Sequence, residues 1–291
     1  MDFTFFLEPF SYPFMLRALI TILVLAAASG VVGLFINLRS LEFISDGLVH
    51  SVFPGLVVGF VVGGTDALLP GALVAGVIAA AILTVVSRRG VGSDAAIAVV
   101  LAGSFSLGVV IVSRGTNYVS QLEQLLFGAV LTVTVSQLWQ IIIISAFAIL
   151  LVGLTWRRQL FLSFDRSGFR TSGYRVLPAE LLLNCSVAFL VVAGSQALGN
   201  LLVLAFLIVP VAIARLMTTR LGLLTPIALV VAGVSGWLGL LVSFHASVSY
   251  GLTPSPGSVI VIVLIAIYAV VLLSHLVILR SGVRAALKRE G

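Results

Sequence analysis

Nine stretches of about 20 residues with almost no charge recur along this chain, and no other feature limits its fold as severely. A helix needs roughly that many apolar residues to cross the hydrocarbon core of a bilayer. The runs cover 18–36, 43–63, 67–87, 95–113, 138–156, 179–197, 200–218, 221–244 and 257–279. Inside a bilayer every backbone polar group must be satisfied within its own segment, so runs of this kind become helices. The sequence therefore predicts an all-α, polytopic membrane protein with about nine transmembrane helices. The apolar piece Leu125–Val135 is too short to span. It reads as a re-entrant or half helix, approached through Gln121, Glu123 and Gln124 and turning at Gly128.

Composition agrees. Of the 291 residues, 60% are hydrophobic and 9% charged, against about 25% charged in ordinary soluble domains. Sixteen basic and 10 acidic side chains cannot cover a water-facing surface of this size. That excludes a soluble enzyme, a disordered chain and a DNA-binding domain. The formal charge of +6 is scattered between apolar runs, so nucleic acid is not a partner. A single cysteine excludes a disulfide framework and a cysteine-rich metal site.

Basic residues collect on the cytoplasmic side of membrane proteins. Arg39, Arg88, Arg89, Arg157, Arg158, Arg166, Arg170, Arg175, Arg215, Arg220, Arg280, Arg284, Lys288 and Arg289 all close or follow odd-numbered runs, and only Arg17 and Arg114 fall opposite. The expected topology puts the N-terminus outside and the C-terminus inside. Asp2 and Glu8 do not resemble the basic region of a signal peptide. The longest polar stretch, Arg157–Pro178, becomes a cytoplasmic loop. No repeat or linker divides residues 1–291, which read as one transmembrane domain.

An ionisable residue inside a span is costly and marks a functional position by default. The second run holds two, Asp46 and His50. Their i, i+4 spacing puts both on one helix face, roughly 6 Å apart at Cβ. A carboxylate and an imidazole so close suit one divalent cation, zinc or manganese and less selectively iron, or a proton relay. The structural alternative is that Asp46 caps the helix while His50 bonds a neighbour. Pro54 has no N–H, so the His50 carbonyl lacks its intrahelical donor. Beside this row run Gly47, Ser51, Gly55, Gly59 and Gly63, small residues at four-residue spacing that admit a close helix neighbour.

Residues 30–63, with Ser45-Asp46-Gly47-Leu48-Val49-His50 and Pro54-Gly55, resemble the membrane subunit of ATP-binding-cassette importers for zinc and manganese. Ser45 and Gly47 stand where the family usually has Gly and Ala; the Asp, His and Pro-Gly positions match. Leu126-Phe127-Gly128, Phe164-Asp165 with Gly173, Gly199–Leu202 with Ile208–Arg215 around Pro210, and Ser243 with Pro256-Gly257 resemble further blocks of the family in order. The stretch His245–Ser255 reads as a longer outer loop than the family usually has.

The resemblance implies the vitamin-B12-importer type of permease fold in a bacterial plasma (inner) membrane. It implies two permease copies around one path, two ATPase subunits below and an extracytoplasmic metal-binding protein above. Asp46 and His50 would line the ion path, and the loop around Phe164, Asp165 and Gly173 would meet the ATPase. No cofactor is held permanently, and zinc or manganese is cargo. The chain has no Gly-x-x-x-x-Gly-Lys-Ser/Thr motif, its one lysine being Lys288, so ATP belongs to a partner and the chain itself is not an enzyme. Rival readings are a proton-coupled carrier that needs no ATPase and a structural membrane scaffold.

Other polar residues read more simply. His245 suits an interfacial position or one that samples arriving ions, His275 an interfacial position, Cys185 a small buried hydrophobe, and Glu180 a helix cap. Arg17 would snorkel to headgroups, and the Arg280–Arg289 tail would meet anionic lipid or the ATPase. Pro210 and Pro226 interrupt hydrogen bonding within spans.

Overall fold

The computed structural model describes residues 8–88, 93–113, 128–252 and 254–287. The long helices are α1 (Pro13–Leu38), α2 (Glu42–Gly63), α3 (Leu68–Val86), α4 (Ser93–Val112), α5 (Val135–Phe164), α7 (Val176–Leu198), α8 (Asn200–Met217), α9 (Leu221–Tyr250) and α10 (Pro256–Leu287). A short helix α6 (Arg166–Thr171) follows α5. Eight of the long helices are long and apolar enough to cross a membrane; a shorter apolar helix, Ile97–Ile111, lies in the run 95–113.

The helices form two groups joined by α7. In one, α1 packs against α5, α8 and α9, and α10 covers α8 and α9. In the other, α2 packs against α3 and α4. Between them α7 touches α1, α2, α3, α5 and α8. The interior is apolar, with Phe35, Phe53 and Phe206 among the largest buried side chains. Large apolar residues such as Val62, Val99, Leu154 and Val277 are exposed, as expected of helices whose outer faces meet lipid.

Three local readings are corrected. Arg157–Phe164 is not loop but the last two turns of α5, because buried Gln159 gives its amide to the Ala179 carbonyl at 2.9 Å and holds the helix against α7. His245–Tyr250 is likewise helical, and α9 ends only at Gly251, which takes a left-handed conformation. The turn to α10 is therefore shorter than the sequence suggested. Glu180 does not cap α7, whose N-cap is Arg175. Glu180 lies in the second turn and pairs with distant arginines instead.

Leu125–Phe127, with Gln121, Glu123, Gln124 and Arg114, lie outside the described residues, as do Asp2, Arg89, Lys288 and Arg289. Of the rest of the half-helix segment, Val130–Thr132 form a 3-10 turn and Val135 begins α5. Gly128 has φ +74°, and a Cβ there would overlap the Leu198–Gly199 peptide. With Ala129 donating to the Ala197 carbonyl at 3.0 Å, it rests directly on the α7–α8 turn.

Candidate metal site

Helix α2 starts at Glu42 behind Leu41, with no side-chain cap. Asp46 is thus one turn inside the helix and does not cap it. His50 Nε2 lies 3.4 Å from Asp46 Oδ1, with the two side chains about one-fifth and three-tenths exposed. Two ligands each about 2.1 Å from a tetrahedral ion stand roughly 3.4 Å apart, so the pair is spaced to share one cation. His50 Nδ1 is buried without a hydrogen-bond partner, an unsatisfied polar atom of the kind that folded chains rarely leave. The Phe105 ring of α4 meets the imidazole edge-on, 5.5 Å between centroids, and restricts its rotation. Among the described residues no three His, Cys, Asp or Glu side chains form a metal-binding group. One copy therefore offers two side-chain ligands at this pair.

The small residues of α2 face both of its neighbours. A Cβ at Gly55 or Gly59 would overlap the Gly71 or Ala67 carbonyl of the α3 region, and one at Gly63 would stand 2.7 Å from Ala67 Cβ. On the other side, a Cβ at Gly47 would meet Ile97 of α4 at 3.0 Å, and Ser51 Oγ lies 3.2 Å from Ser104 Oγ. Pro54 is buried within α2, which continues through it. Pro210 is buried within α8, one turn beyond Leu207, whose carbonyl contacts Gly33 of α1.

At the other end of α5, Phe164 is about two-thirds exposed. Asp165 closes α5 and caps α6: its Oδ1 accepts from Gly168 N–H at 2.7 Å and from Ser167 Oγ–H at 2.9 Å. These bonds, the Gly168 amide foremost, hold its carboxyl below the ordinary carboxylate range. Beneath α6, Phe169 is buried and stacks on Tyr174, 5.0 Å between centroids, with the Arg158 guanidinium over the Tyr174 ring. Gly173 has φ +82° and open space around it, so it supplies backbone freedom in the turn to α7.

His245 Nδ1 lies 2.9 Å from the Leu241 carbonyl. A carbonyl only accepts, so the proton sits on Nδ1 and the ring bonds within its own helix. His275 is half-buried on α10, and Cys185 is half-buried on α7.

The sequence of this chain matches the profile of the ABC 3 transport family over residues 11–275. The chain belongs to that family. Relatives include the manganese transport system membrane protein MntC of Halalkalibacterium halodurans, 33% identical over 264 residues, 89% of this chain and 88% of the relative. The chelated iron transport system membrane protein YfeD of Yersinia pestis is 32% identical over 246 residues, 84% of this chain and 82% of the relative. Among solved structures, PsaBC from Streptococcus pneumoniae in complex with Fab has a TM-score of 0.79 at 27% identity, covering 91% of this chain and 94% of that one. The family fold also appears in an inward-facing conformation of a putative metal-chelate type ABC transporter, at TM-score 0.66 and 20% identity, covering 89% and 85%. The family and its apolar spans make this chain a multi-pass membrane protein.

One cluster escaped the sequence reading. Arg39, in the α1–α2 turn, donates to the Gln159 carbonyl at 2.9 Å, to the Gln159 side chain, and to Ser163 Oγ at 3.0 Å. Its partners lie 120 and 124 positions away, so no local pattern reveals them.

Proposed function

We propose that this chain is the permease subunit of an ATP-driven importer of divalent transition metal ions, manganese, zinc or iron. The observation that carries the reading is the family match across residues 11–275, within which Asp46 and His50 form a carboxylate–imidazole pair spaced for one cation. Relatives named for manganese and for chelated iron support a divalent transition metal and leave its identity to measurement.

Asp46 and His50 bind the ion in transit. A transport site must hold an ion well enough to accept it and weakly enough to release it, and a two-ligand site in one chain suits that need. Two copies facing one path offer two carboxylates and two imidazoles, the four ligands of a closed tetrahedral shell. The residues 1–291 act as one domain with the N-terminus outside and the C-terminus inside, in a bacterial plasma membrane. ATP is hydrolysed by separate subunits that dock on α6 around Phe164, Asp165 and Gly173, and an extracytoplasmic protein delivers the ion. Gly47, Ser51, Gly55, Gly59 and Gly63 form the packing seam of the ion-binding helix, and Pro54 and Pro210 mark where spans bend.

Metal uptake in cells tests the reading, with wild type, His50→Ala and an ATPase-dead partner compared for manganese, zinc and iron separately. Loss of uptake of one ion in both altered strains supports the importer and identifies the cargo. Uptake that survives the dead ATPase but not His50→Ala indicates a carrier. Uptake that survives His50→Ala overturns the site.

A further inference from the structure

Near the exposed end of α5 a polar cavity of about 520 Å³ is lined by Arg39, Arg88, Arg166, Glu180, Asp94 and Asn184, among others. Glu180 of α7 is its hub. Its Oε1 lies 2.8 Å from Arg166 Nη2, at the first position of α6, and its Oε2 lies 3.4 Å from Arg88 Nε, just past the end of α3. A third guanidinium, Arg39, lines the same cavity. Burial pushes Arg39 down to about 10, Glu180 opposes that shift and Arg166 adds to it. One carboxylate thus stands among three guanidiniums from α6, from the end of α3 and from the α1–α2 turn.

Each of these elements leads to the ion pair. Helix α3 is joined to α7 again at Asn184 Nδ2–Thr84 Oγ1, 2.7 Å. It meets α2 backbone to backbone, Gly71 against Gly55 and Gly59. The α1–α2 turn precedes α2 directly, and Arg39 in it is tied to the end of α5 at Gln159 and Ser163. Removing Glu180 leaves three like charges facing one another without their shared counter-charge.

We infer that Glu180 is the positioning residue that ties α6 to the end of α3, so that displacement of α6 moves the helix carrying Asp46 and His50. The inference rests on the importer reading, in which α6 receives the motion of the ATPase. Spatial intermediacy is not coupling, so the test reads coupling itself.

The permease, purified with its ATPase and reconstituted in proteoliposomes, is assayed for ATP hydrolysis and for uptake of the ion the unsubstituted complex carries. In Glu180→Gln, hydrolysis continues while ions moved per ATP fall by about 5-fold or more, the low end of typical coupling strengths. Glu180→Asp restores part of the ratio. Arg166→Gln, on an exposed helix and sparing the Arg88 pair, lowers it in the same direction and decides the matter if Glu180→Gln does not assemble. An unchanged ratio, or hydrolysis and uptake falling in equal proportion, overturns the inference alone. No ATP-dependent uptake by the unsubstituted complex overturns the importer reading, and the inference with it.

Discussion

His50 and Asp46 face each other across 3.4 Å on the surface of α2, too far for a strong hydrogen bond and about the separation of two ligands of one cation. Both side chains are partly exposed, so their removal threatens the fold little. Asp46→Ala and His50→Ala are expected to leave the assembled protein within about 0.5 kcal/mol of wild type. Metal uptake falls by about 10-fold or more, since even outer-shell partners cost that much at metal sites. Uptake of radioactive metal, normalised to assembled permease, checks this.

The α2–α3 contact leaves no room for a side chain. Gly59→Ala places its methyl on the Ala67 carbonyl, and such overpacking costs about 1–3 kcal/mol. Gly103→Ala meets nothing within 4 Å and is expected to be neutral or slightly stabilising. Thermal unfolding of the two variants in detergent separates these outcomes.

Thr84 and Asn184 form a buried side-chain hydrogen bond between α3 and α7. Thr84→Val leaves the Asn184 amide unpaired at a cost of about 1–3 kcal/mol, and adding Asn184→Leu recovers part of it. A double-mutant cycle on the melting temperatures measures the coupling.

Asp165 carries a pH prediction. Its folded-state carboxyl titrates below the ordinary aspartate range because the Gly168 amide and the Ser167 hydroxyl bond its charged form. A lowered carboxylate contributes fully above the unfolded value and is lost as pH falls through the folded one. The α6 cap is therefore constant from pH 8 down to about 4 and lost only below that. Carboxyl-carbon NMR of Asp165 titrated through this range is the check. Asp165→Asn, which keeps an accepting oxygen, retains the cap better than Asp165→Ala.

The apolar runs, the helices they form and the Asp46–His50 pair were legible in the sequence alone. Each follows from short-range physics: the cost of unpaired backbone in lipid sets the helices, and helical spacing sets residues i and i+4 together. The sequence could not say where α5 ends, because Gln159 is kept helical by Ala179, 20 positions later. It read Glu180 as a cap because Arg88 and Arg166, its partners, belong to other helices. It treated Arg39 only as a topology marker, although Gln159 and Ser163 hold it from more than 100 positions away. Charges at the ends of spans find their partners only once the helices are packed, so tertiary structure alone decided how α6 is joined to the helix that carries the ion pair.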